Sequence, residues 1–113
     1  MITILHNPRC GKSRTGLQMI ENLQEEITVR NYLKDPLNKP EIEKLLQQLD
    51  LTPNQIIRTH EKIWKDKYKN KDLTNEELIE ILVEHPILIE RPIVIKGDKA
   101  VIGRPPENIT RLI

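Results

Sequence analysis

The order of the apolar stretches limits the possible folds of this chain more than any other feature of its sequence. Runs rich in β-branched residues occupy 2–5 and 27–33, and a helical apolar stripe from about Gly11 to Gln24 lies between them. Further β-rich runs follow at 91–95 and 100–102, separated by a Gly-Asp pair typical of a hairpin turn. This order predicts an α/β protein whose mixed β-sheet is flanked by helices.

The segment between the two β-rich halves is predicted to be helical. Its helices are expected at Pro40 to Leu49, at Thr52 to Arg58, and from Thr74 to His85. Thr74 and Glu77 form a capping box that opens the last of these. The stretch 62–71 is rich in lysine and gives no clear pattern. A short terminal helix is expected to start at Pro105. No linker or repeat interrupts the chain, so we expect a single domain over 1–113, with a helical insertion between β-α-β and β-β-α halves.

Composition excludes several functional classes. The formal net charge is +1, which does not favour nucleic-acid or membrane partners. The N-terminal residues lack the pattern of a signal peptide, and no run reaches the length of a membrane span. There is one cysteine, so an internal disulfide cannot form, and a reducing compartment is favoured. We therefore expect a cytoplasmic monomer.

Cys10 is the one candidate nucleophile whose surroundings suit the role. It is placed where a loop after the first strand meets a helix, and a helix N-terminus together with nearby cations lowers the pKa of a thiol. Arg9, Lys12 and Arg14 supply the cations. The backbone N–H groups of Gly11, Lys12 and Ser13 are expected to form an anion site beside the sulfur. The competing interpretation is a buried structural cysteine with solvated basic neighbours.

Better-known loops do not fit the sequence around Cys10. A phosphate-binding P-loop that ends in Gly11-Lys12-Ser13 needs a glycine where His6 stands. A cysteine-phosphatase loop needs arginine at Gly16, and a dithiol motif needs cysteine at Ser13. The remaining pattern, Cys-x-x-Ser, is a monothiol site that depends on an external thiol to complete a turnover.

Three arginines are candidates for binding an oxyanion. Arg58, Arg91 and Arg104 each lie at the boundary of a predicted element, where their planar forked donors can converge on a tetrahedral anion. The alternative is three surface arginines without a common target. Arg91 and Arg104 each precede a proline, which restricts their backbone.

The motifs together resemble a known family. His6-Asn7-Pro8-Arg9-Cys10-Gly11-Lys12-Ser13-Arg14 resembles the H-N-P-x-C-x-x-S-R loop of the arsenate reductases that use glutathione and glutaredoxin. The stretch from His85 to Val94 resembles their second signature, and Arg104-Pro105 also has a counterpart. The resemblance covers essentially the whole chain.

This resemblance implies a thioredoxin-like fold and a set of roles. Cys10 is implied as the nucleophile, and Arg58, Arg91 and Arg104 as the residues that hold the oxyanion. His6 and Ser13 are implied to adjust the thiol, and Pro92 matches the cis-proline of thioredoxin-like folds. From the residues alone, His6 is equally well a loop-packing histidine and Ser13 a first-turn cap. His60 and His85 lack metal-ligand spacing, so no metal is expected.

The implied activity is the reduction of arsenate to arsenite through a Cys10–arsenic adduct that glutathione and glutaredoxin resolve, without a bound cofactor. Two alternatives remain open. One is a thiol-redox-responsive transcriptional regulator that binds RNA polymerase, although related sensors carry Cys-x-x-Cys and Ser13 stands here instead. The other is a family oxidoreductase that acts on a different substrate.

Overall fold

A computed structural model describes residues 1–23 and 25–113. The chain forms two compact units: the first combines Met1–Asp35 with Arg91–Ile113, and the second comprises Pro36–Glu90. The second unit is therefore inserted, along the chain, between the two segments of the first. That 1–113 forms a single domain stays a prediction.

The first unit contains a four-stranded sheet in the order β2-β1-β3-β4. Its strands are β1 (Ile2–Leu5), β2 (Ile27–Arg30), β3 (Ile93–Lys96) and β4 (Lys99–Ile102). β1 pairs parallel with β2 and antiparallel with β3, and β3 pairs antiparallel with β4. The β3–β4 turn contains Gly97 at φ +64°, a conformation that glycine adopts without a steric penalty. The prediction of a mixed sheet is confirmed.

The described residues include five α-helices and two short 3₁₀ turns. The helices are α1 (Gly11–Glu21), α2 (Lys39–Leu49), α3 (Lys62–Lys67), α4 (Asn75–Glu84) and α5 (Glu107–Leu112). The 3₁₀ turns are Pro53–Ile56 and Pro86–Leu88. None of the described helices is long and apolar enough to cross a membrane.

One face of the sheet forms the core of the first unit with α1 and α5. Its fully buried members come from two strands and both helices: Ile2, Ile4, Ile20, Val94 and Ile109. Ile2 and Ile4 are two residues apart on β1, so their side chains lie on the same face. This core is aliphatic, and the chain contains no phenylalanine that could contribute to it.

In the second unit, α4 packs against α2 and against both 3₁₀ turns. Capping boxes begin both helices: Asn38 with Glu41 at α2, and Thr74 with Glu77 at α4. The second of these was predicted from the sequence. The side-chain oxygen of each cap accepts a helix N–H, and the glutamate carboxylate accepts the backbone N–H of the cap residue.

Several predicted boundaries were wrong. The helix expected up to Arg58 ends at Ile56, because Ile57 pairs with Ile89 and the N–H of Arg58 donates to the carbonyl of Leu88. α1 ends at Glu21, and its expected end at Gln24 lies outside the described residues.

Two further helices differ from the prediction. α5 starts at Glu107 rather than Pro105, after turn bonds from Asn108 to Pro105 and from Ile109 to Pro106. α3 occupies the first part of the lysine-rich stretch, for which no helix was predicted. No residue of α3 is fully buried, so it presents no apolar stripe from which a helix could have been predicted.

Gly16, in the middle of α1, lies where the helix approaches its neighbours most closely. A methyl group there would lie 2.8 Å from Cγ of Pro92 and 3.3 Å from Cδ1 of Ile109. A glycine inside a helix costs about 1 kcal/mol relative to alanine. This close approach is the physical reason for its presence.

We expect Gly16→Ala to destabilise the protein in spite of the better helix propensity of alanine. Overpacking costs about 1–3 kcal/mol, which exceeds the propensity gain of about 1 kcal/mol. Thermal denaturation should therefore show a Tm lowered by several degrees. Gly11→Ala is the control, because its methyl group would meet only Nη2 of Arg14, at 3.7 Å. A Gly16→Ala variant as stable as the parent would show that Pro92 and Ile109 can move apart at no cost.

Candidate active site

The loop after β1 is shaped by Asn7, which is buried and makes three hydrogen bonds. Its backbone carbonyl accepts the N–H of Cys10 at 3.0 Å, and its side-chain Oδ1 accepts the N–H of Arg9 at 3.0 Å. Its own N–H donates to Oγ of Ser13 at 3.0 Å. These bonds close a tight turn over Asn7–Cys10. The turn places Cys10 directly before the first residue of α1.

Cys10 is the N-cap of α1, with an extended backbone at φ −96° and ψ 122°. Its thiol is partly exposed, and the backbone N–H groups of Ser13 and Lys12 hydrogen-bond the sulfur. The first N–H groups of a helix have no partner within the helix, and together with the helix dipole they favour negative charge. The start of α1 therefore stabilises a thiolate at this position.

Two arginines of the C-terminal segment reach the same sulfur. Nη2 of Arg104 donates to Sγ of Cys10 at 3.2 Å, and Nε of the same side chain donates to the carbonyl of Arg91 at 2.7 Å. The side chain of Arg91 also hydrogen-bonds the thiol and is only 8% exposed. The structure thus brings Cys10, Arg91 and Arg104 together, with the first turn of α1, within the first unit.

These surroundings lower the pKa of the Cys10 thiol below its ordinary value. Partial burial acts in the opposite direction and raises the pKa. The hydrogen bonds from the backbone of Ser13, from Arg91 and from the backbone of Lys12, with the charge of Arg104, outweigh it. A thiol activated in this way is a nucleophile at a pH where a free cysteine is mostly protonated.

We expect alkylation of Cys10 by iodoacetamide to follow this lowered pKa. The thiolate is the reacting form, so the rate should rise as pH increases through a midpoint below the free-cysteine value of about 8.5. Arg91→Ala should move the midpoint to higher pH, because it removes a donor to the thiolate. A midpoint at the free-cysteine value in the parent protein would count against an activated thiol.

His6 and Ser13 form a buried pair behind the loop. Nδ1 of His6 lies 2.7 Å from Oγ of Ser13, and both side chains are buried. Burial lowers the pKa of His6, which favours the neutral imidazole. Because Oγ of Ser13 already accepts the Asn7 N–H, its hydroxyl proton can be donated to His6. Among the described residues, no hydrogen bond joins either side chain to the sulfur, so an influence of His6 and Ser13 on the thiol would pass through the loop and stays a prediction.

Arg58 belongs to the second unit, where acidic groups surround it. Its Nε lies 3.3 Å from a carboxylate oxygen of Glu61, and its Nη1 lies 3.6 Å from one of Glu90. Its Nη2 is 2.9 Å from Nε2 of His60. Within the described part of the chain, buried Nη1 makes no hydrogen bond. The role of Arg58 in oxyanion binding stays a prediction.

The structure also shows where the other residues considered in the sequence lie. Gly11 and Lys12 are exposed on the first turn of α1. His85 hydrogen-bonds the Tyr68 hydroxyl at 3.1 Å. Among residues 1–23 and 25–113, no group of three or more His, Cys, Asp or Glu side chains could hold a metal ion.

The peptide bonds Arg91-Pro92 and Arg104-Pro105 are both cis, the first as the resemblance implied.

Sequence reasoning did not assign Asn7 a role in the site. Its side chain is 5% exposed, and its hydrogen bonds set the position of Cys10. The Asn-Pro dipeptide signalled a turn, and asparagine is a residue that bonds the backbone two positions ahead. That signal could have identified Asn7 as part of the loop.

The sheet order and the thiol at the start of α1 define a thioredoxin-like protein with a single cysteine at its site. A family model described as "ArsC family" matches residues 5–112, and the chain belongs to this family.

Similar proteins agree with that assignment. A Haemophilus influenzae protein named arsenate reductase is 39% identical over 99% of this chain and 98% of its own length. An arsenate reductase of Acidiphilium multivorum is 35% identical over 99% of this chain and 80% of its own length. The solved structure of an arsenate reductase from Vibrio cholerae superposes with a TM-score of 0.93 at 36% identity, covering 99% of this chain and 97% of that one.

Proposed function

We propose that this protein is an arsenate reductase that uses Cys10 as its nucleophile. The observation that carries the proposal is the convergence of Arg91, Arg104 and the first turn of α1 on one sulfur atom. Such a cluster favours a thiolate and also attracts a tetrahedral oxyanion. Relatives named arsenate reductase that match nearly the whole chain support arsenate as that anion.

Arsenate binds with its oxygens facing the guanidinium groups of Arg91 and Arg104 and the N–H groups at the start of α1. Arg58 is the third arginine that we assign to the anion. Planar guanidinium groups donate two parallel bonds to an oxyanion, and this fixes its orientation relative to the sulfur. The charge that gathers around arsenic during the attack is neutralised by the same groups.

The reaction then proceeds in three steps. The Cys10 thiolate attacks arsenic, a sulfur–arsenic bond forms, and one arsenate oxygen leaves as water after protonation. Glutathione thiolate attacks the Cys10 sulfur, a sulfur–sulfur bond forms, and the electron pair of the sulfur–arsenic bond leaves with arsenic. Arsenic(V) thereby becomes arsenic(III), released as arsenite, and the two thiols are oxidised to a mixed disulfide. Glutaredoxin removes the glutathionyl group and restores Cys10.

An external reductant follows from the cysteine content. The chain has one cysteine, and Ser13 occupies the position of a resolving thiol, so Cys10 cannot form an internal disulfide. This supports an external thiol as the reductant and a reducing compartment. We propose glutathione with glutaredoxin as that reductant, a cytoplasmic location, and no bound cofactor. We further propose that 1–113 acts as one domain and as a monomer.

The test is an assay of arsenite formation by the purified protein. Arsenate is supplied with glutathione alone, with glutaredoxin alone and with both, and each arm is repeated without the protein. We expect turnover that saturates with arsenate and needs both thiols. Arsenite formation no faster than the protein-free background would overturn the proposal. Saturable turnover that glutathione alone sustains would retain the reductase and remove glutaredoxin.

A further inference from the structure

Asn108, in the first turn of α5, ties the segment that leads to Arg104 to this helix. Its Nδ2 donates to the carbonyl oxygen of Ile102 at 3.1 Å and to that of Arg104 at 3.2 Å. A side-chain amide has two N–H protons, so both bonds can form at once. The turn between the end of β4 and Arg104 is therefore held at both of its ends by one side chain.

These bonds are not helix capping. Pro106 is the N-cap of α5, and no side-chain capping bond is made there. A capping side chain accepts an N–H of its own helix. Asn108 does the reverse: it donates to carbonyl groups that precede the helix. Its amide therefore fixes the incoming chain and does not stabilise α5 itself.

The same turn is held from the other side by Pro92. The N–H of Gly103 donates to the carbonyl of Pro92 at 2.8 Å. A methyl group on Gly103 would lie 2.9 Å from Cγ of Pro92 and 3.0 Å from Cδ1 of Ile109, so the backbone is in tight contact on this side. Together with the Asn108 bonds, these contacts leave the turn little freedom.

A fixed backbone matters because the side chain of Arg104 is long. An arginine has many rotamers in solution, and confining it to one costs side-chain entropy. In this structure its guanidinium bonds the carbonyl of Arg91 and the sulfur of Cys10 simultaneously. For both bonds to form, the backbone of Arg104 must stay within reach of the Arg91 carbonyl and of the Cys10 sulfur.

We propose that Asn108 is a positioning residue, whose amide holds the backbone of Arg104 so that the guanidinium faces the Cys10 sulfur and the anion bound there. The inference rests on the proposed function for the identity of that anion. The contact between Arg104 and the thiol does not depend on it. The effect of Asn108 can therefore be measured on Cys10 without any substrate.

The test replaces Asn108 with leucine, which has a similar size and no donor. Leucine is also the better helix former, so α5 itself loses nothing. We expect the pH midpoint of Cys10 alkylation to move upward and, below the parent midpoint, the alkylation rate to fall about two- to fivefold. Thr110→Val is the matched control, because the exposed Thr110 hydroxyl lies on the same helix and donates to the carbonyl of Glu107, not to the turn that leads to Arg104. Its profile should match the parent.

A second pair of variants shows whether Asn108 acts through Arg104. Arg104→Ala should shift the alkylation profile by itself, and adding Asn108→Leu to it should change nothing further. Circular dichroism checks folding, and Asn108→Ala, which also removes both bonds and introduces no larger side chain, replaces the leucine variant if that one does not fold. An unshifted profile in a folded Asn108 variant overturns the proposal. So does a shift that persists in the Arg104→Ala background.

Failure of the proposed function gives a different result. If the protein does not reduce arsenate, no arsenite forms above the protein-free background, but Asn108→Leu still shifts the pH midpoint of Cys10 alkylation. If Asn108 has no positioning role, the alkylation profiles of Asn108→Leu and the parent coincide, while the parent still forms arsenite.

Discussion

Cys10→Ser is expected to abolish arsenite formation and leave the fold intact. A serine hydroxyl is not ionised at neutral pH, and it can form neither the sulfur–arsenic bond nor the mixed disulfide. The fold should survive because Cys10 is the N-cap of α1, where serine is among the preferred residues. The measurement is arsenite formed with glutathione and glutaredoxin, together with a thermal melt. We expect activity at the protein-free background and a Tm at or slightly above that of the parent.

Thr15→Ser is the matched control for this substitution. Thr15 is exposed on α1, and its hydroxyl bonds the carbonyl of Gly11 at 3.1 Å, a bond that serine retains. Its activity should equal that of the parent. Turnover above background in a folded Cys10→Ser protein would remove Cys10 from the mechanism.

Replacing Arg91 or Arg104 with alanine is expected to lower kcat/KM for arsenate by about one to two orders of magnitude. Each side chain makes charge-assisted bonds, and the loss of one costs about 1.5–3 kcal/mol of stabilisation. Arginine to lysine should recover only part of this. In Arg104, Nε and Nη2 bond two different groups at once, and a single ammonium group cannot replace both. Sulfate should compete with arsenate in the parent, and less strongly in either alanine variant.

Arg111→Ala is the control for the arginine variants. Arg111 is exposed in the last turn of α5, and its loss should leave kcat/KM unchanged. Arg58→Ala tests the third assigned arginine, whose neighbours Glu61 and Glu90 already offset its charge. A loss comparable to that of Arg91→Ala would support its place in the anion site. Equal activity of Arg91→Ala and Arg111→Ala would contradict the oxyanion site proposed here.

The sequence predicted the sheet and most helices because these follow from local patterns. β-branched runs and the Gly97 turn specify strands and a hairpin, and the Thr74 capping box specifies the start of α4. The position of Cys10 at the junction of loop and helix in a strand–loop–helix unit is also local, so its place at the start of α1 was predictable.

The features that the sequence did not predict depend on contacts between residues far apart along the chain. Ile57 was predicted to be helical, but it pairs with Ile89 and its backbone is extended. No local sequence pattern indicates that pairing. The sequence around Asn108 indicates no role for this residue in the site. Its bonds to the carbonyl groups of Ile102 and Arg104 exist because β4 turns back beside α5. The sequence places Arg91 and Arg104 far from Cys10 along the chain, and only the family resemblance linked them to it. The structure then showed the contact with the sulfur.

The mass of intact protein sampled during turnover tests the central claim most directly. With arsenate and glutathione present and glutaredoxin withheld, we predict that one glutathionyl group accumulates on the protein, at Cys10. Adding glutaredoxin should remove it and restart arsenite formation, because the mixed disulfide is the last intermediate of the cycle. A protein that forms arsenite in repeated turnovers while Cys10 carries no adduct at any stage would contradict the account.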